Sequence, residues 1–338
     1  MYFRILPLLG LLVFSVYSEE LLHRSDIRVR DPYILVDDKT KIYYMYASIA
    51  NRLGVAALDM TEITNGVEVY QSKDLVRWTQ PKTVFEVPSN FWAKKAVWAP
   101  EVHRYRGKYY LMATFTSDTP LPTLPGRPPN VKRGTQILVS DSPEGPFVPF
   151  ANEPHTPDDW MCLDGTLWEE EGVPYMIFCH EWIQITDGTM DLVRLKPDLS
   201  DTVGEPKTLF RASDASWSRC RADLGERFQG ERYHAHITDG PFIHRTQTGK
   251  LVMLWSSYGV QKYALGQAVS KSGTIHGPWE VVQVPLFNAD GGHGMIFRSL
   301  EGKLLVVLHQ PNRKTERAHF FEISDEGDLL EFVDKYEP

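Results

Sequence analysis

The sequence predicts an all-β fold, a five-bladed β-propeller, on three observations. Short runs rich in β-branched and aromatic residues return along the chain, and each run follows a tight turn. The runs return at roughly 50 to 75 residues, which leaves room for about four short strands per unit, as in a propeller blade. No heptad pattern or long amphipathic helix interrupts them. The five runs are IYYMYAS (42–48), YYLMATFTS (109–117), PYMIFCHEW (174–182), LVMLWSSYG (251–259) and LLVVLHQPN (304–312).

Each run forms the second strand of a predicted β-hairpin, because a turn precedes it and another apolar run precedes the turn. The preceding runs include APEVHRY (99–105), GTLWEE (165–170) and GPFIHRT (240–246). A second repeated element, a serine followed by a turn and a proline or aromatic residue, appears in SKDLVRWTQP (72–81), SDSPEGPFVP (140–149) and SKSGTIHGPWE (270–280). Five such units fill the chain after its first 25 residues. The alternative is a β-sandwich whose segments resemble one another by accident.

The composition is that of a globular protein and excludes one class of partner. Hydrophobic residues make up 42% and charged residues 24% of the 338 residues, which argues against disorder. The formal net charge is -8 and the basic residues are scattered, so no nucleic-acid partner is expected. Aromatic residues make up 12%, which fits a β-rich core or a cleft in which sugars stack.

The N-terminus is predicted to be a secretory signal peptide, residues 1–18. Arg4 is followed by an apolar run, residues 5–14, that is too short to span a bilayer, and small residues follow the run. A membrane anchor is the weaker alternative, because nothing after Ser18 extends the apolar run. We therefore expect a secreted or periplasmic protein without membrane association after cleavage, whose residues 19–338 form the catalytic propeller.

Three cysteines permit at most one disulfide, so disulfides are not expected to be the main source of stability. Cys162 and Cys179 flank a predicted hairpin and could meet, whereas Cys220 stands apart in the sequence. The alternative is that Cys162 and Cys179 are buried free thiols.

Acidic residues lie near the start of the inner strands, where a propeller gathers side chains. The innermost strand of each blade faces the central channel, and the site lies at one end of that channel. The acids in these segments are Asp31, Glu101, Asp164, Asp239 and Asp290. Burying like charges in one funnel costs free energy unless they are protonated, paired or metal-bound, so the pattern indicates a functional cluster. The alternative is that these acids only begin turns and never meet.

Five motifs together carry a resemblance to a known enzyme family. They are RDPYI (30–34), WAPEV (98–102), LDGTLW (163–168), TDGP (238–241) and GGHGM (291–295). In this order and spacing they resemble glycoside hydrolase family 43, the five-bladed propeller enzymes that act on arabinan and xylan. The resemblance covers essentially the whole mature chain. The invertase-like propellers carry an Asn-Asp-Pro-Asn-Gly type motif that this sequence lacks.

The resemblance implies a role for three aspartates. Asp31 matches the family's general base, and Asp164 matches the aspartate that tunes the pKa of the acid and orients it. Family members usually have glutamate as the general acid at the position of Asp239. Aspartate is shorter by one methylene, so its reach falls by about 1.3 Å, roughly one C–C bond. Glu181 and Glu101 are therefore the alternative acids.

The implied activity is that of a secreted inverting glycosidase. Inversion needs a protonated acid and an ionised base about 6.5–9.5 Å apart on opposite faces of the sugar. The resemblance implies hydrolysis of O-glycosidic bonds in pentose-containing plant polysaccharides or oligosaccharides, of the arabinofuranosidase or xylosidase type. A catalytically impaired carbohydrate-binding propeller and an exo-galactosidase of the same family are the alternatives.

Several other side chains are expected to support the site. His293 matches an axial histidine that in this family often helps to hold a cation; no cofactor is expected to be required, and calcium or sodium would suit the position. The alternative is a turn histidine bonded within its own loop. Trp98, Trp182 and Phe115 are expected to stack against sugar rings, although propeller core is the alternative for each aromatic side chain. Arg30 is expected to bind a sugar hydroxyl or to pair with a carboxylate.

Overall fold

The computed structural model describes residues 20–53, 65–260 and 262–337 and confirms the five-bladed β-propeller. The predicted signal peptide, residues 1–18, lies outside the described residues. Among the helices that the structure describes, none has the length and apolar character needed to cross a bilayer.

The blades are antiparallel meanders that follow one another along the chain. Blade one contains β1 (Leu22–His23), β2 (Tyr33–Asp37), β3 (Ile42–Ser48), β4 (Gly66–Ser72), β5 (Arg77–Trp78) and β6 (Lys82–Glu86). Blade two contains β7 (Ala96–Tyr105), β8 (Lys108–Pro120), β9 (Val131–Ser140) and β10 (Val148–Pro149), and blade three contains β11 (Cys162–Glu170), β12 (Val173–His180), β13 (Thr189–Leu195) and β14 (Thr202–Arg211). A short hairpin, β15 (Arg227–Phe228) and β16 (Glu231–Arg232), precedes blade four. Blade four contains β17 (Asp239–Arg245), β18 (Leu251–Tyr258), β19 (Tyr263–Ser270) and β20 (Trp279–Val281), and blade five contains β21 (Gly292–Arg298), β22 (Leu304–Gln310), β23 (Arg317–Ser324) and β24 (Glu331–Lys335).

Helical segments are short and two of them border the funnel. Helix α1 (Ile49–Leu53) follows β3, and helix α2 (Trp182–Ile185) follows β12. Each therefore continues from the second strand of its blade at the end of the channel where the side chains described below converge. Two 3-10 turns complete the described helical segments, at Arg24–Asp26 and Ala212–Asp214.

The first strands of the blades form the wall of the central channel. Strands β2, β7, β11, β17 and β21 contact one another around a ring that closes between β21 and β2. The predicted apolar runs are the second strands, which lie between the inner strand and the third strand of each blade. Side chains at the start of the first strands therefore meet at the axis.

The core lies between neighbouring blades, because each blade buries both of its faces. In β12, Met176 and Phe178 pack with side chains of blade two, whereas Ile177 and Cys179 pack with side chains of blade four. Successive side chains of a strand point to opposite faces of its sheet, and here both faces of the sheet pack against a neighbouring blade. Such strands read as continuous apolar runs, which is why the runs stood out in the sequence.

The same alternation decides the state of the cysteines. Cys162 lies in the cluster between blades two and three, and Cys179 lies in the cluster between blades three and four. The two side chains therefore occupy opposite faces of blade three. Cys162, Cys179 and Cys220 are free thiols.

The ring closes through contacts between blades five and one. The hydroxyl of Tyr43, on β3, accepts a hydrogen bond from the Leu300 N–H at 2.7 Å and donates to Glu301 at 3.2 Å. Its ring meets the Phe297 ring edge-on, with 6.3 Å between the centroids. One buried tyrosine thus joins the first blade to the last.

We expect Tyr43→Phe to lower the free energy of unfolding by about 1–2 kcal/mol, because it leaves the Leu300 N–H without its partner. Tyr105→Phe is the matched control, since the buried Tyr105 hydroxyl has no hydrogen-bond partner among the described residues. Removing that hydroxyl should be neutral or stabilising. Urea unfolding of both variants measures the difference. Equal losses of unfolding free energy in the two variants would mean that the hydrogen bond from Leu300 to Tyr43 does not contribute to stability.

Candidate active site

The first strands of four blades have an irregularity in their pairing at equivalent positions. Pairing with the second strand shifts register between Trp98 and Glu101, Leu163 and Thr166, Asp239 and Phe242, and Gly292 and Met295. One residue in each break, and one just before β2, has a positive φ: Asp31 (52°), Ala99 (43°), Asp164 (57°), Gly240 (51°) and His293 (50°). Bulges of this kind redirect side chains, so these five positions are structurally equivalent.

The equivalent positions bring Asp31, Asp164 and His293 together at the axis. The sequence interpretation treated Asp239 as the matching residue of blade four, and this is corrected: Gly240 occupies that position, and Asp239 lies one residue earlier. A Cβ on Gly240 would lie 2.6 Å from Cγ of His293, so the imidazole packs directly against the glycine backbone. The one-residue offset lets Asp239 approach the cluster from a different side.

Asp31 is buried among basic groups. Its Oδ1 lies 3.1 Å from Nδ1 of His293, and its Oδ2 lies 3.6 Å from Nε of Arg30. Burial favours the neutral acid, but His293 and Arg30 outweigh it and hold the pKa of Asp31 well below its ordinary value. Asp31 is therefore ionised at neutral pH.

His309 and Asn312 hold the backbone of Asp31 and were not identified from the sequence. Nδ1 of His309 accepts the Asp31 N–H at 3.3 Å, and its Nε2 donates to Oδ1 of Asn312 at 2.9 Å. His309 is completely buried. Its position at the end of the apolar run LLVVLHQPN, where side chains reach the funnel, was the available signal.

His293 is placed between two carboxylates. Its Nδ1 lies 3.1 Å from Asp31 and 3.7 Å from Oδ2 of Asp164, and its backbone N–H donates to Oγ of Ser256 at 2.8 Å. Burial lowers the pKa of His293, but the carboxylates of Asp31 and Asp164 overcome this and raise it to about 10. The ring is therefore an imidazolium at neutral pH and forms an ion pair with Asp31.

Asp164 and Asp239 form a second carboxyl pair beside His293. The N–H of Asp164 donates to Oγ1 of Thr114 at 2.8 Å, and its Oδ2 accepts the Gly240 N–H at 3.1 Å. Burial raises the pKa of Asp164 well above its ordinary value; His293 opposes this, and Asp239 adds to it. The Tyr263 hydroxyl donates to Oδ2 of Asp239 at 2.6 Å. Asp164 therefore holds its proton to a higher pH than Asp31 does.

The two alternative acids lie in different environments. Glu181 lies in the funnel, is buried, and forms an ion pair with Arg133. Burial raises the pKa of Glu181 although Arg133 opposes the shift. Glu101 lies outside the lining of the funnel, and its carboxylate accepts a hydrogen bond from Nε2 of His103 at 2.8 Å. Glu101 therefore pairs with His103 on its own strand and does not face the cavity.

The carboxylates open into a cavity of about 440 Å³. Its lining includes the three aspartates and the predicted contact residues Arg30, Trp98, Glu181 and Trp182. The Arg133 guanidinium lies 4.3 Å from the Trp98 ring centroid and fixes that ring at the wall. Phe115 does not reach the cavity, which corrects its expected sugar contact. Its fully buried ring packs against Phe91 at 5.1 Å between centroids, because its strand position faces the core.

The axial cluster can also be tested for a cation. Asp164, Asp239 and His293 each offer one ligand atom, and these atoms lie within 4.8 Å of one another. Calcium prefers 6–8 oxygen ligands, whereas this set supplies two carboxylate oxygens and one imidazole nitrogen, so water would complete the shell. The set fits a hydrated cation when His293 is neutral.

Comparisons with known proteins agree with this geometry. The family model described as Glycosyl hydrolases family 43 matches residues 25–323. Among solved structures, the endo-arabinase from Bacteroides thetaiotaomicron VPI-5482 is similar at 40% sequence identity and a TM-score of 0.74, with 94% of this chain and 97% of that chain covered. An α-L-arabinofuranosidase from Lactobacillus brevis shares the fold at 16% identity and a TM-score of 0.66, with coverage of 92% and 96%. None of the curated proteins compared matches the chain.

The match to the family model spans most of the chain, and the five blades and the order of the inner-strand motifs agree with it. The expected resemblance is thereby confirmed. The chain belongs to glycosyl hydrolase family 43 and is a glycosidase.

Proposed function

We propose that this glycosidase hydrolyses arabinofuranosyl or xylosyl linkages of plant polysaccharides or oligosaccharides with inversion of configuration. One observation carries the proposal: Asp31, whose pKa is lowered, shares one funnel with Asp239 and with Asp164, whose pKa is raised. Two carboxyl groups in opposite protonation states are what acid–base glycoside hydrolysis requires. Arabinan is the first substrate to test, because the structure that is 40% identical is that of an endo-arabinase.

Asp31 acts as the general base in this proposal. A water molecule on the Asp31 side attacks the anomeric carbon and gives its proton to the Asp31 carboxylate. The His293 imidazolium and Arg30 keep the carboxylate ionised until that step, and His309 fixes the backbone that aims it. In this proposal His293, Arg30 and His309 thus keep Asp31 in the state and position that a base requires.

Asp239 acts as the general acid in this proposal. It gives its proton to the leaving glycosidic oxygen as the C–O bond breaks, and the pair with Asp164 is the source of that proton. Tyr263 donates to Oδ2 of Asp239, which leaves Oδ1 to reach the substrate. The shorter aspartate supports an alternative, a carbohydrate-binding propeller with impaired catalysis, which the activity measurements below distinguish.

We also propose that the enzyme acts outside the cytoplasm, where plant polysaccharides are met. The N-terminal pattern of residues 1–18 supports this. N-terminal sequencing of the protein recovered from the growth medium or periplasm of its expression host tests the proposal. Recovery of the uncleaved chain in the cytoplasm alone would contradict it.

Asp31→Asn should lower kcat on arabinan by about 10²–10⁴-fold, because the amide cannot accept the proton from water. The asparagine retains the volume of the side chain and can accept the hydrogen bond from His293, so folding should persist. Initial rates and circular dichroism measure the two effects. Asp38→Asn, at a turn position whose side chain is 82% exposed, is the matched control and should turn over normally. Unchanged rates for Asp31→Asn would remove Asp31 from the mechanism.

Asp239→Asn should slow substrates with poor leaving groups by about 10²-fold or more, and activated aryl glycosides much less, because activated leaving groups need no proton. Glu181→Gln is the matched comparison, since Glu181 lines the same cavity. It should affect both substrate types alike. Rates on arabino-oligosaccharides and on 4-nitrophenyl arabinofuranoside test this. If Glu181→Gln shows the leaving-group dependence instead, Glu181 is the acid.

We further propose that no cation is required, because His293 and Arg30 already balance the charge of the axial carboxylates. Dialysis against EDTA should therefore change turnover by less than about twofold, and added calcium or sodium should restore nothing. Activity and metal content before and after dialysis provide the measurement. A large loss that calcium reverses would instead assign the axial cluster to an ion.

A further inference from the structure

Arginines line part of the funnel although the chain carries a net charge of -8. They form two groups. In the first, Arg28 and Arg30 face Glu316, with Arg28 at 3.1 Å and Arg30 at 3.8 Å, and Arg30 also faces Asp31. Two carboxylates therefore balance two guanidinium groups in this group. The second group is not balanced in this way.

The second group consists of Arg221 and Arg313, which share a single carboxylate among the described residues. Nε of Arg221 donates to Oε2 of Glu226 at 2.8 Å, and Nη2 of Arg221 contacts the other carboxylate oxygen. Nη2 of Arg313 lies 3.8 Å from the same Glu226 carboxylate. Two positive charges against one negative charge leave one positive charge at this wall of the funnel.

Arg221 is buried and incompletely bonded. Its side chain is 6% exposed, and its guanidinium lies 4.1 Å from the Tyr258 ring centroid. Its Nη1 has no hydrogen-bond partner among the residues that the structure describes. A buried charged donor without a partner costs free energy, so the guanidinium is not fully compensated by the protein. Stacking on Tyr258 keeps the planar guanidinium in place.

This wall is connected to the proposed base. Asn312 donates from Nδ2 to the Tyr258 hydroxyl at 2.9 Å and accepts a hydrogen bond from His309, which holds the backbone of Asp31. Arg313 also donates to the Tyr258 hydroxyl, at 3.4 Å. Arg221, Tyr258, Asp31 and Arg313 line the same cavity.

We propose that Arg221 and Arg313 form a subsite for a carboxylate, so that the enzyme prefers substrates that carry a hexuronic acid residue near the cleaved bond. A carboxylate supplies the missing negative charge, whereas a neutral hydroxyl does not. Arginine binds carboxylates through two parallel N–H···O bonds. This assignment rests on the proposed hydrolysis of plant polysaccharides, but carboxylate binding can be measured without turnover.

The binding test uses the Asp31→Asn protein, which is expected to retain its cavity. Isothermal titration with D-galacturonate and with D-galactose compares two sugars that differ only in the carboxylate. Galacturonate should bind at least about tenfold more tightly at low salt, and the preference should shrink as the salt concentration rises. Equal affinities for the two sugars at low salt would overturn the assignment.

Variants of the two arginines test whether these side chains cause the preference for galacturonate. Arg221→Gln and Arg313→Gln are each made in the Asp31→Asn background. Each should lower the ratio of the affinities for galacturonate and galactose by about tenfold. Arg313→Lys should keep part of the preference, because it keeps the charge. Arg104→Gln, at an exposed position on β7, is the control and should keep all of it. Since the Arg313 side chain is 68% exposed, its variant is expected to fold even if Arg221→Gln does not. Preference that survives Arg313→Gln would overturn the assignment.

Turnover gives an independent readout in the otherwise wild-type enzyme. Xylo-oligosaccharides and arabinoxylo-oligosaccharides with and without a glucuronosyl branch give a ratio of kcat/KM values for acidic over neutral substrates. That ratio should be about ten or more in the wild-type enzyme and should fall toward one in Arg313→Gln. A ratio of one in the wild-type enzyme would overturn the assignment. Absence of turnover on every pentose substrate would contradict the proposed function and leave the galacturonate titration to decide the subsite.

Discussion

The ion pair between Asp31 and His293 is the contact on which the arrangement of the funnel depends. It joins the first blade to the last at the axis, with 3.1 Å between Oδ1 and Nδ1. It also offsets the repulsion between carboxylates that share one funnel. The imidazolium lowers the pKa of Asp31, whereas burial and the neighbouring Asp239 raise the pKa of Asp164. The proposed division between base and acid follows from this one placement of charge.

The backbone makes that placement possible. Asp31, Asp164 and His293 all have φ values between 50° and 57°, a left-handed conformation that is uncommon for residues other than glycine. The repeated break in register turns the first side chain of an inner strand toward the axis instead of into a blade interface. Gly240 occupies the equivalent position in blade four and has no side chain. A side chain there would collide with the His293 ring. The geometry of the axial cluster is thus a property of the blade repeat rather than of one loop.

The offset of Asp239 and the position of Arg221 both depart from the repeated axial pattern. Asp239 lies one residue before the repeated position and accepts a hydrogen bond from Tyr263, on the third strand of the same blade. Arg221 comes from the segment between blades three and four, outside the repeated strands. The same segment packs Trp217 into the core between blades three and four, which holds the segment in place beside the funnel.

The sequence by itself determined the repeat, the all-β fold and the identity of most axial residues, because strand periodicity and turn chemistry are local properties. It could not give the partners of those residues. His309 reaches Asp31 across 278 residues of chain, and no local pattern encodes such a contact. Phe115 looked like a sugar platform from composition, but the face of its strand, which only the packed sheet fixes, places it in the core. The offset of Asp239 likewise required the strand register. Tertiary structure decided these points because direction and distance between blades arise only when the ring is closed.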